Sequence, residues 1–163
     1  MKKIILMCIA LALAFGIIVP GAYALDDFFA GIGPDINGHG RQDFAVGGDL
    51  LFGMDLNPQF SAGLRAGFYH DLYEVFSMEP QAFFRYNLPF VKGLFVQAEA
   101  GCVVYLDYGS TYPAFSGGLS AGWRLPISGN FYVEPAARFG YPYMWGINIM
   151  VEYIFPLNKE AQG

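Results

Sequence analysis

Charge is scarce in this sequence. Only 14% of its 163 residues are charged, whereas 55% are hydrophobic and 18% are aromatic. Soluble domains carry a charged share of roughly a quarter. A chain this apolar makes a poor water-facing surface, which argues against an ordinary soluble protein. The length suits a single domain.

Long apolar runs are missing beyond the N-terminus. The chain opens with a basic start, MKK, an apolar core and the small-x-small sequence Ala22-Tyr23-Ala24, which together predict a cleaved signal peptide over 1–24. An uncleaved anchor is the alternative. No later run approaches the ~18 apolar residues that a transmembrane helix needs. Any later membrane crossing must therefore be made by strands.

Cysteine and histidine are too few to define a disulfide or a metal site. Cys8 lies in the predicted signal peptide, so Cys102 cannot form a disulfide bond within the mature sequence. His39 and His70 are far apart and show no metal-ligand spacing. Acids such as Asp71 lie near His70, but no Ser-x-His or paired-Asp motif accompanies them. We therefore predict no metal, no cofactor, no nucleic-acid partner and no enzymatic activity.

The chain is rich in alternation with a period of two. From Phe44 to Phe68, large apolar residues occupy alternate positions and small or charged residues lie between them. A period of two indicates β-strand, and breaks at regular spacing divide the mature chain into eight such segments. They cover about 28–36, 44–56, 60–68, 76–88, 94–106, 115–125, 131–141 and 147–155.

The apolar face is predicted to point outward. It holds about forty mostly large side chains, and the interior of eight strands is only just wide enough for side chains. Closure also removes sheet edges, whose backbone groups lipid could not satisfy. Aromatic residues near the strand ends flank an aliphatic middle, as in outer-membrane barrels. We predict an all-β, eight-stranded antiparallel up-and-down transmembrane β-barrel over 25–155, followed by a short periplasmic tail over 156–163.

The last strand carries a distinctive pattern. In WGINIMVEYIF, Gly146 precedes Ile149, Val151, Tyr153 and Phe155 at alternate positions. With this pattern the chain resembles the small eight-stranded outer-membrane barrels of the OmpA, OmpX and OmpW type. The resemblance implies a bacterial outer-membrane location, a monomer surrounded by outer-membrane lipid, and recognition of these five residues by the barrel-assembly machinery.

The connections between the strands are short. We expect periplasmic turns at 57–59, 89–93 and 128–130, and outer loops near 37–42, 72–75, 108–112 and 142–145. Outer loops this short do not favour an adhesive surface that extends far from the membrane. Pro80 and Pro135 are expected to face lipid and, because proline has no N–H, to cause local bulges.

The charged strand residues fall on the small-residue face, which is the predicted lumen. Because an unpaired arginine would be costly there, we predict an ion-pair network. Its members are Asp49, Arg65, Glu79, Arg85, Glu99, Arg124, Glu134, Arg138 and Glu152. The expected pairs are Arg124 with Glu134, Arg85 with Glu99, Arg65 with Asp49 and Arg138 with Glu152.

Two functions follow from this lumen. A plugged lumen suits a structural or surface-interaction protein that presents its short outer loops to a host or surface ligand. The alternative is a small porin-like or OmpW-like channel for ions or small apolar solutes. Loss of 1–24 leaves seven basic against 14 acidic residues, so a conducting lumen would prefer cations.

Overall fold

The structure, a computed structural model, describes residues 27–38, 44–71, 75–107 and 110–157. The strands in these ranges are β1 Asp27–Gly38, β2 Phe44–Asn57, β3 Phe60–Asp71, β4 Phe76–Asn87, β5 Leu94–Asp107, β6 Ser110–Trp123, β7 Leu125–Ser128, β8 Phe131–Tyr141 and β9 Trp145–Pro156. In this part of the chain no helix is long and apolar enough to cross a membrane. The predicted signal peptide and tail residues 158–163 lie outside the described residues, so both stay predictions.

The strands pair antiparallel with their neighbours, and the sheet closes on itself. Strand β1 pairs with β2 on one side and with β9 on the other. Strands β6 and β7 act as one long strand, because both pair with β8 on either side of Arg124. The result is a closed antiparallel barrel of eight strand positions, and the predicted fold class is confirmed.

Prolines interrupt the strand pairing without shifting it. Pro135 on β8 has no N–H to donate. The pairing of β8 with its neighbour is interrupted beside it, between the pair of Gly122 with Ala136 and the pair of Leu125 with Val133. Beside Pro80, the pairing of β4 with β5 is interrupted in the same way, yet the register is the same on both sides. The bulges predicted at Pro80 and Pro135 were therefore wrong. The register shifts that do occur among the described strands lie beside turns.

The two faces of the wall differ as the alternation predicts. Outward side chains such as Ile32, Leu119 and Phe139 are 62%, 67% and 66% exposed. Inward side chains such as Phe29 and Arg85 are fully buried. The outward face is an apolar belt that suits hydrocarbon, because water would hydrate these side chains unfavourably.

Aromatic residues ring both rims of the apolar belt. At one rim Phe60 stacks on Phe84 with ring centroids 5.5 Å apart, and Phe131 meets Tyr153 edge-on at 4.9 Å. The opposite rim carries exposed Phe44, Phe76, Phe115 and Tyr141. Two aromatic girdles around an aliphatic band are typical of transmembrane β-barrels.

Tight turns join the strands at the end where β1 begins and β9 ends. The side-chain oxygen of Asn57 accepts hydrogen bonds of 2.9 Å from the backbone N–H groups of Gln59 and Phe60. Gly93 and Gly129 adopt positive φ angles of 83° and 56°, which glycine tolerates best. These turns coincide with the three turns predicted from sequence, and we call this end of the barrel the turn side.

At the opposite end, the loop side, the β5–β6 hairpin is longer than predicted. Strand β6 begins at Ser110, whereas the sequence placed its start at Phe115. Pairing continues through Tyr105 opposite Tyr112, because aromatic residues suit a strand surface. The predicted loop over 108–112 was therefore wrong in its second part. Residues 39–43 and 72–74, which hold much of two other predicted outer loops, lie outside the described residues.

Candidate functional site

Strand parity directs the charged side chains into the lumen, where glycines leave space for them. A Cβ atom on Gly53 would overlap the rings of Phe29 and Phe83, so the absence of a side chain there makes the lumen wide enough for these rings. The buried charged residues form two groups. The turn-side cluster is Arg85, Arg124, Asp55, Glu134 and Glu152, and the loop-side cluster is Arg65, Arg138, Asp35, Asp49, Glu79 and Glu99.

Arg65 is the centre of the loop-side cluster. Its Nη2 donates to Oδ2 of Asp35 at 2.7 Å and to Oδ2 of Asp49 at 2.6 Å, and its Nη1 donates to Oε2 of Glu99 at 2.9 Å. Nη2 also reaches the hydroxyl of Tyr69 at 3.1 Å. One guanidinium on β3 thereby joins carboxylates from β1, β2 and β5 across the lumen.

Arg138 completes the loop-side cluster. Its two terminal nitrogens donate to the two oxygens of Glu79 at 2.6 and 3.1 Å, the bidentate geometry in which arginine binds a carboxylate most strongly. Its Nε lies 3.8 Å from Glu99, which Arg65 also contacts. Glu99 therefore connects the two arginines of the cluster.

A second bidentate pair dominates the turn-side cluster. Arg85 donates to both oxygens of Glu134 at 2.8 and 2.7 Å, and its Nε donates to Gln97 at 2.8 Å. Arg124 lies 2.9 Å from Glu152 and 3.4 Å from Glu134. The pair of Arg85 and Glu134 links β4 to β8 across the interior.

Aromatic rings surround the arginines of the turn-side cluster. The guanidinium carbon of Arg85 lies 3.8 Å from the ring centroid of Phe95, and that of Arg124 lies 4.4 Å from the centroid of Phe29. Phe29 also packs with Phe83 in a buried apolar group. These cation–π contacts were missed from sequence, although three phenylalanines on an otherwise small and polar face were a usable signal.

The structure brings together two of the four expected ion pairs. Arg65 contacts Asp49 and Arg124 contacts Glu134, as strand neighbourhood suggested. The other two pairings were wrong, because Arg85 binds Glu134 rather than Glu99 and Arg138 binds Glu79 rather than Glu152. Cross-strand reasoning considers only adjacent strands, whereas long arginine side chains also reach across the lumen. Asp35, Tyr69, Gln81 and Gln97 were not predicted as members of the network.

A tyrosine from the β8–β9 turn covers the loop side of the lumen. Tyr143 is buried, shares a hydrogen bond of 2.8 Å with the hydroxyl of Ser77, and meets the ring of Tyr69 edge-on at 5.3 Å. Because burial disfavours its charged form, the pKa of Tyr143 is raised to about 12. This turn was predicted as an outer loop, but its inward tyrosine was not.

The turn side of the lumen remains partly open. A cavity of about 300 Å³ lies there, with Asp27, Asp55 and Arg124 among its lining residues. Two of its lining residues, Asp55 and Arg124, belong to the turn-side cluster. The lumen is thus a short vestibule beside a packed, charged interior.

The histidines do not form a metal centre in the described residues. His70 is exposed at the end of β3, and His39 lies outside the described residues. Among the described residues no group of three or more His, Cys, Asp or Glu side chains is arranged to hold a metal ion.

The five residues of the predicted assembly signal occupy both faces of β9. Ile149, Val151 and Phe155 are exposed on the apolar belt, and Tyr153 packs on Phe131 and Phe155 in the turn-side aromatic girdle. Gly146 faces the lumen, where a Cβ atom would overlap the side chain of Asn37. Their role in assembly stays a prediction.

Comparison with known proteins gives relatives by fold. No family model and no curated protein matches the chain. The N-terminal β-barrel domain of Pseudomonas aeruginosa OprF matches with a TM-score of 0.52 and 16% identity, covering 81% of this chain and 100% of that domain. OprG of Pseudomonas aeruginosa matches with a TM-score of 0.57 and 8% identity over 83% of this chain and 95% of OprG. Neisserial surface protein A matches with a TM-score of 0.56 and 9% identity over 84% and 99%.

The closed barrel, its apolar belt and these matches define the class of the protein. It has the fold of the small eight-stranded transmembrane β-barrels of the bacterial outer membrane. Its surface is the one an outer-membrane location requires, because bulky apolar side chains face outward between two aromatic girdles. Identities of 8 to 16% make this a likeness of fold.

Proposed function

We propose that the chain is a structural or surface-interaction protein of the outer membrane whose lumen is plugged by the ion-pair network. The observation that carries this proposal is the burial of the pairs that cross the lumen. The side chains of Arg85 and Glu134 are 1% and 2% exposed, and those of Arg65 and Asp49 are 2% and 0% exposed. Charged groups that line an open water path would be hydrated.

The network supports a plug because it connects strands that are distant around the wall. Arg65 joins β3 to β1 and β5, neither of which pairs with β3, and Arg85 joins β4 to β8. Opening the lumen would require these pairs to separate. Removing one partner of a buried pair costs about 3–5 kcal/mol, so spontaneous opening through the full network is strongly disfavoured.

The partners of such a protein follow from its surfaces. The apolar belt would contact outer-membrane lipid, the barrel-assembly machinery would recognise β9, and the barrel would act as a monomer. The exposed side chain of Met144 marks the β8–β9 turn as a place where a host or surface ligand could dock. Catalysis is not part of the proposal.

Single-channel conductance in planar bilayers tests the plug. We expect no steady current from the folded wild-type protein or from Arg124→Ala, because the pair of Arg85 and Glu134 and the loop-side cluster still cross the lumen in the variant. Lys92→Ala in the exposed β4–β5 turn is the matched control and should stay silent. Folding of each variant is checked by its heat-modifiable mobility on gels. Steady wild-type openings would overturn the plugged lumen.

A small channel is the second candidate, and the vestibule favours it. The cavity reaches from the turn side to Arg124 and carries the carboxylates of Asp27 and Asp55. If the remaining network rearranges, ions entering this acidic vestibule would be cations. Wild-type openings with cation selectivity, reduced by Asp55→Asn, would support this function over the plug.

A further inference from the structure

The loop-side cluster contains more acid than base. Arg65 and Arg138 face four carboxylates, those of Asp35, Asp49, Glu79 and Glu99, and none of the four residues is more than 7% exposed. An uncompensated charge in such surroundings is costly. Removing one negative charge would bring the cluster closer to charge balance, provided that no existing donor loses its acceptor.

The carboxylates of Asp35 and Asp49 share hydrogen-bond donors, but only Asp35 has an oxygen without a donor in the described residues. Oδ1 of Asp49 accepts from the Tyr69 hydroxyl at 2.8 Å, and its Oδ2 accepts from Arg65 at 2.6 Å and from Asn148 at 3.2 Å. For Asp35, Oδ2 lies within 3.0 Å of donors on Arg65, Tyr69 and Asn37. Its Oδ1 is buried and receives no donor from the described residues.

Asn148 has a matching unsatisfied oxygen. Its Nδ2 donates to Asp49, which fixes the orientation of the amide, and its buried Oδ1 has no donor in the described part of the chain. Asp35 and Asn148 are direct partners in the pairing of β1 with β9, and both side chains face the lumen. Two residues that are paired across β1 and β9 thus each have a buried acceptor without a donor in the described residues.

We propose that Asp35 is a proton-binding site. The proton is held on Oδ1 of Asp35, and the resulting O–H donates to Oδ1 of Asn148 across the β1–β9 seam, where the barrel closes. Binding removes one negative charge from the loop-side cluster and satisfies two buried acceptors. This inference does not depend on whether the lumen conducts.

The surroundings determine the direction of the pH effect. The groups facing Asp35 are Asp49 from β2, Arg65 and Tyr69 from β3, Asn37 from its own strand and Asn148 from β9. Loss of the proton places two charged carboxylates on one guanidinium nitrogen and leaves the Asn148 acceptor unsatisfied. The folded barrel should therefore lose stability as rising pH removes this proton, because the unfolded chain pays no such cost on ionising.

Two amide substitutions distinguish a proton on Asp35 from a general stabilisation by removing any negative charge from the cluster. Asp35→Asn reproduces the protonated group, since its Nδ2 can donate to Asn148 while its oxygen keeps the donors of Oδ2. Asp49→Asn removes the same charge from the same cluster but turns an N–H group towards existing donors. The folded proteins in lipid vesicles are compared by infrared spectroscopy and by urea unfolding over a series of pH values.

We expect the infrared band of a protonated carboxyl group in the wild type at neutral pH, its loss on raising the pH, and a weaker band in Asp35→Asn, with the Asp35 component visible in the difference spectrum. That variant should fold with unchanged or higher stability and show a flatter pH dependence, whereas Asp49→Asn should be less stable. The proposal is wrong if Asp35→Asn keeps the wild-type band, or if the wild type has none. A stability gain from added calcium that Asp35→Asn abolishes would overturn it too, because a cation would then occupy the place of the proton.

Discussion

The two charged clusters of the lumen both hold charged side chains away from water, but these charges are compensated differently in each cluster. On the turn side, Arg85 and Glu134 form a bidentate pair beside the ring of Phe95, and two arginines face three carboxylates. On the loop side, two arginines face four carboxylates, and amides and Tyr69 supply further donors. The turn-side cluster is closed by pairing and packing. The loop-side cluster has spare acid, so it should tolerate the loss of a carboxylate better.

Removal of the central acid on the turn side should have the largest effect. In Glu134→Gln, the buried Arg85 loses its bidentate partner and Arg124 loses one of its contacts. We expect a loss of about 3–5 kcal/mol in the free energy of unfolding, measured by urea denaturation in lipid vesicles. The double variant Arg85→Met, Glu134→Leu should recover much of the loss, because no unpaired charge remains. An effect below that of an exposed Lys92→Ala control would contradict a tightly coupled pair.

The same substitution on the loop side should cost less and so sharpens the comparison. Glu79→Gln weakens the bidentate contact of Arg138, but Glu99 remains 3.8 Å from this arginine and the acid excess falls by one. We expect a loss of about 2 kcal/mol in the same unfolding assay, the scale of a hydrogen bond to a charged group. A loss equal to that of Glu134→Gln would show that the different charge balance of the two clusters does not affect the cost of removing a carboxylate.

The aromatic rings around the turn-side arginines should contribute less to the free energy of unfolding than the ion pairs do. Phe95→Leu keeps an apolar side chain but removes the ring that lies 3.8 Å from the guanidinium carbon of Arg85. We expect a loss of about 1 kcal/mol, from the cation–π contact and imperfect packing. Combining this change with Arg85→Met separates the two causes. If the ring matters through the guanidinium, Phe95→Leu should cost less in the Arg85→Met background.

The tyrosine that covers the loop side should give the smallest effect. Tyr143→Phe removes the hydroxyl that contacts Ser77, for an expected loss of about 0.5 kcal/mol near neutral pH. The pKa of Tyr143 is raised to about 12 in the folded protein, above its ordinary value of 10.0. The stability it contributes is complete below pH 10 and declines as the pH rises towards 12, because the unfolded chain loses this proton first.

This alkaline decline provides a separate check on the tyrosine. Unfolding curves of the wild type and Tyr143→Phe are compared at neutral pH and across the alkaline range. The variant should decline less steeply than the wild type as the pH rises. Parallel curves would show that this hydroxyl does not titrate differently in the two states.

The fold was largely predictable because its main signal is local. Alternation along each strand identifies which side chains share a face, and the volume of apolar residues determines that this face points outward. The ends of the strands were predicted less accurately than their middles. Strand β6 begins at Ser110, because pairing in the β5–β6 hairpin continues beyond the alternating segment. The effect of Pro80 was misjudged since a closed wall holds the register despite a missing hydrogen bond.

The sequence predicted most of the residues of the candidate site, but only some of the ion pairs that they form. Parity placed Arg85 in the lumen, and cost of burial implied that it would be paired. Sequence neighbourhood could not identify Glu134 as its partner, because β4 and β8 come together only across the closed interior. Asp35 was missed for a similar reason, since its contact with Arg65 joins strands that are not adjacent.

The class of fold, the outward apolar belt and the charge in the lumen could all be predicted, since each depends on residue type and a period of two. Which arginine contacts which carboxylate, and which buried acceptors lack a donor among the described residues, depends on the folded barrel. These depend on the curvature and closure of the wall, which bring distant strands within reach of one guanidinium group. The proton proposed on Asp35 is a consequence of that closure, because its unsatisfied neighbour, Asn148, belongs to the opposite end of the chain.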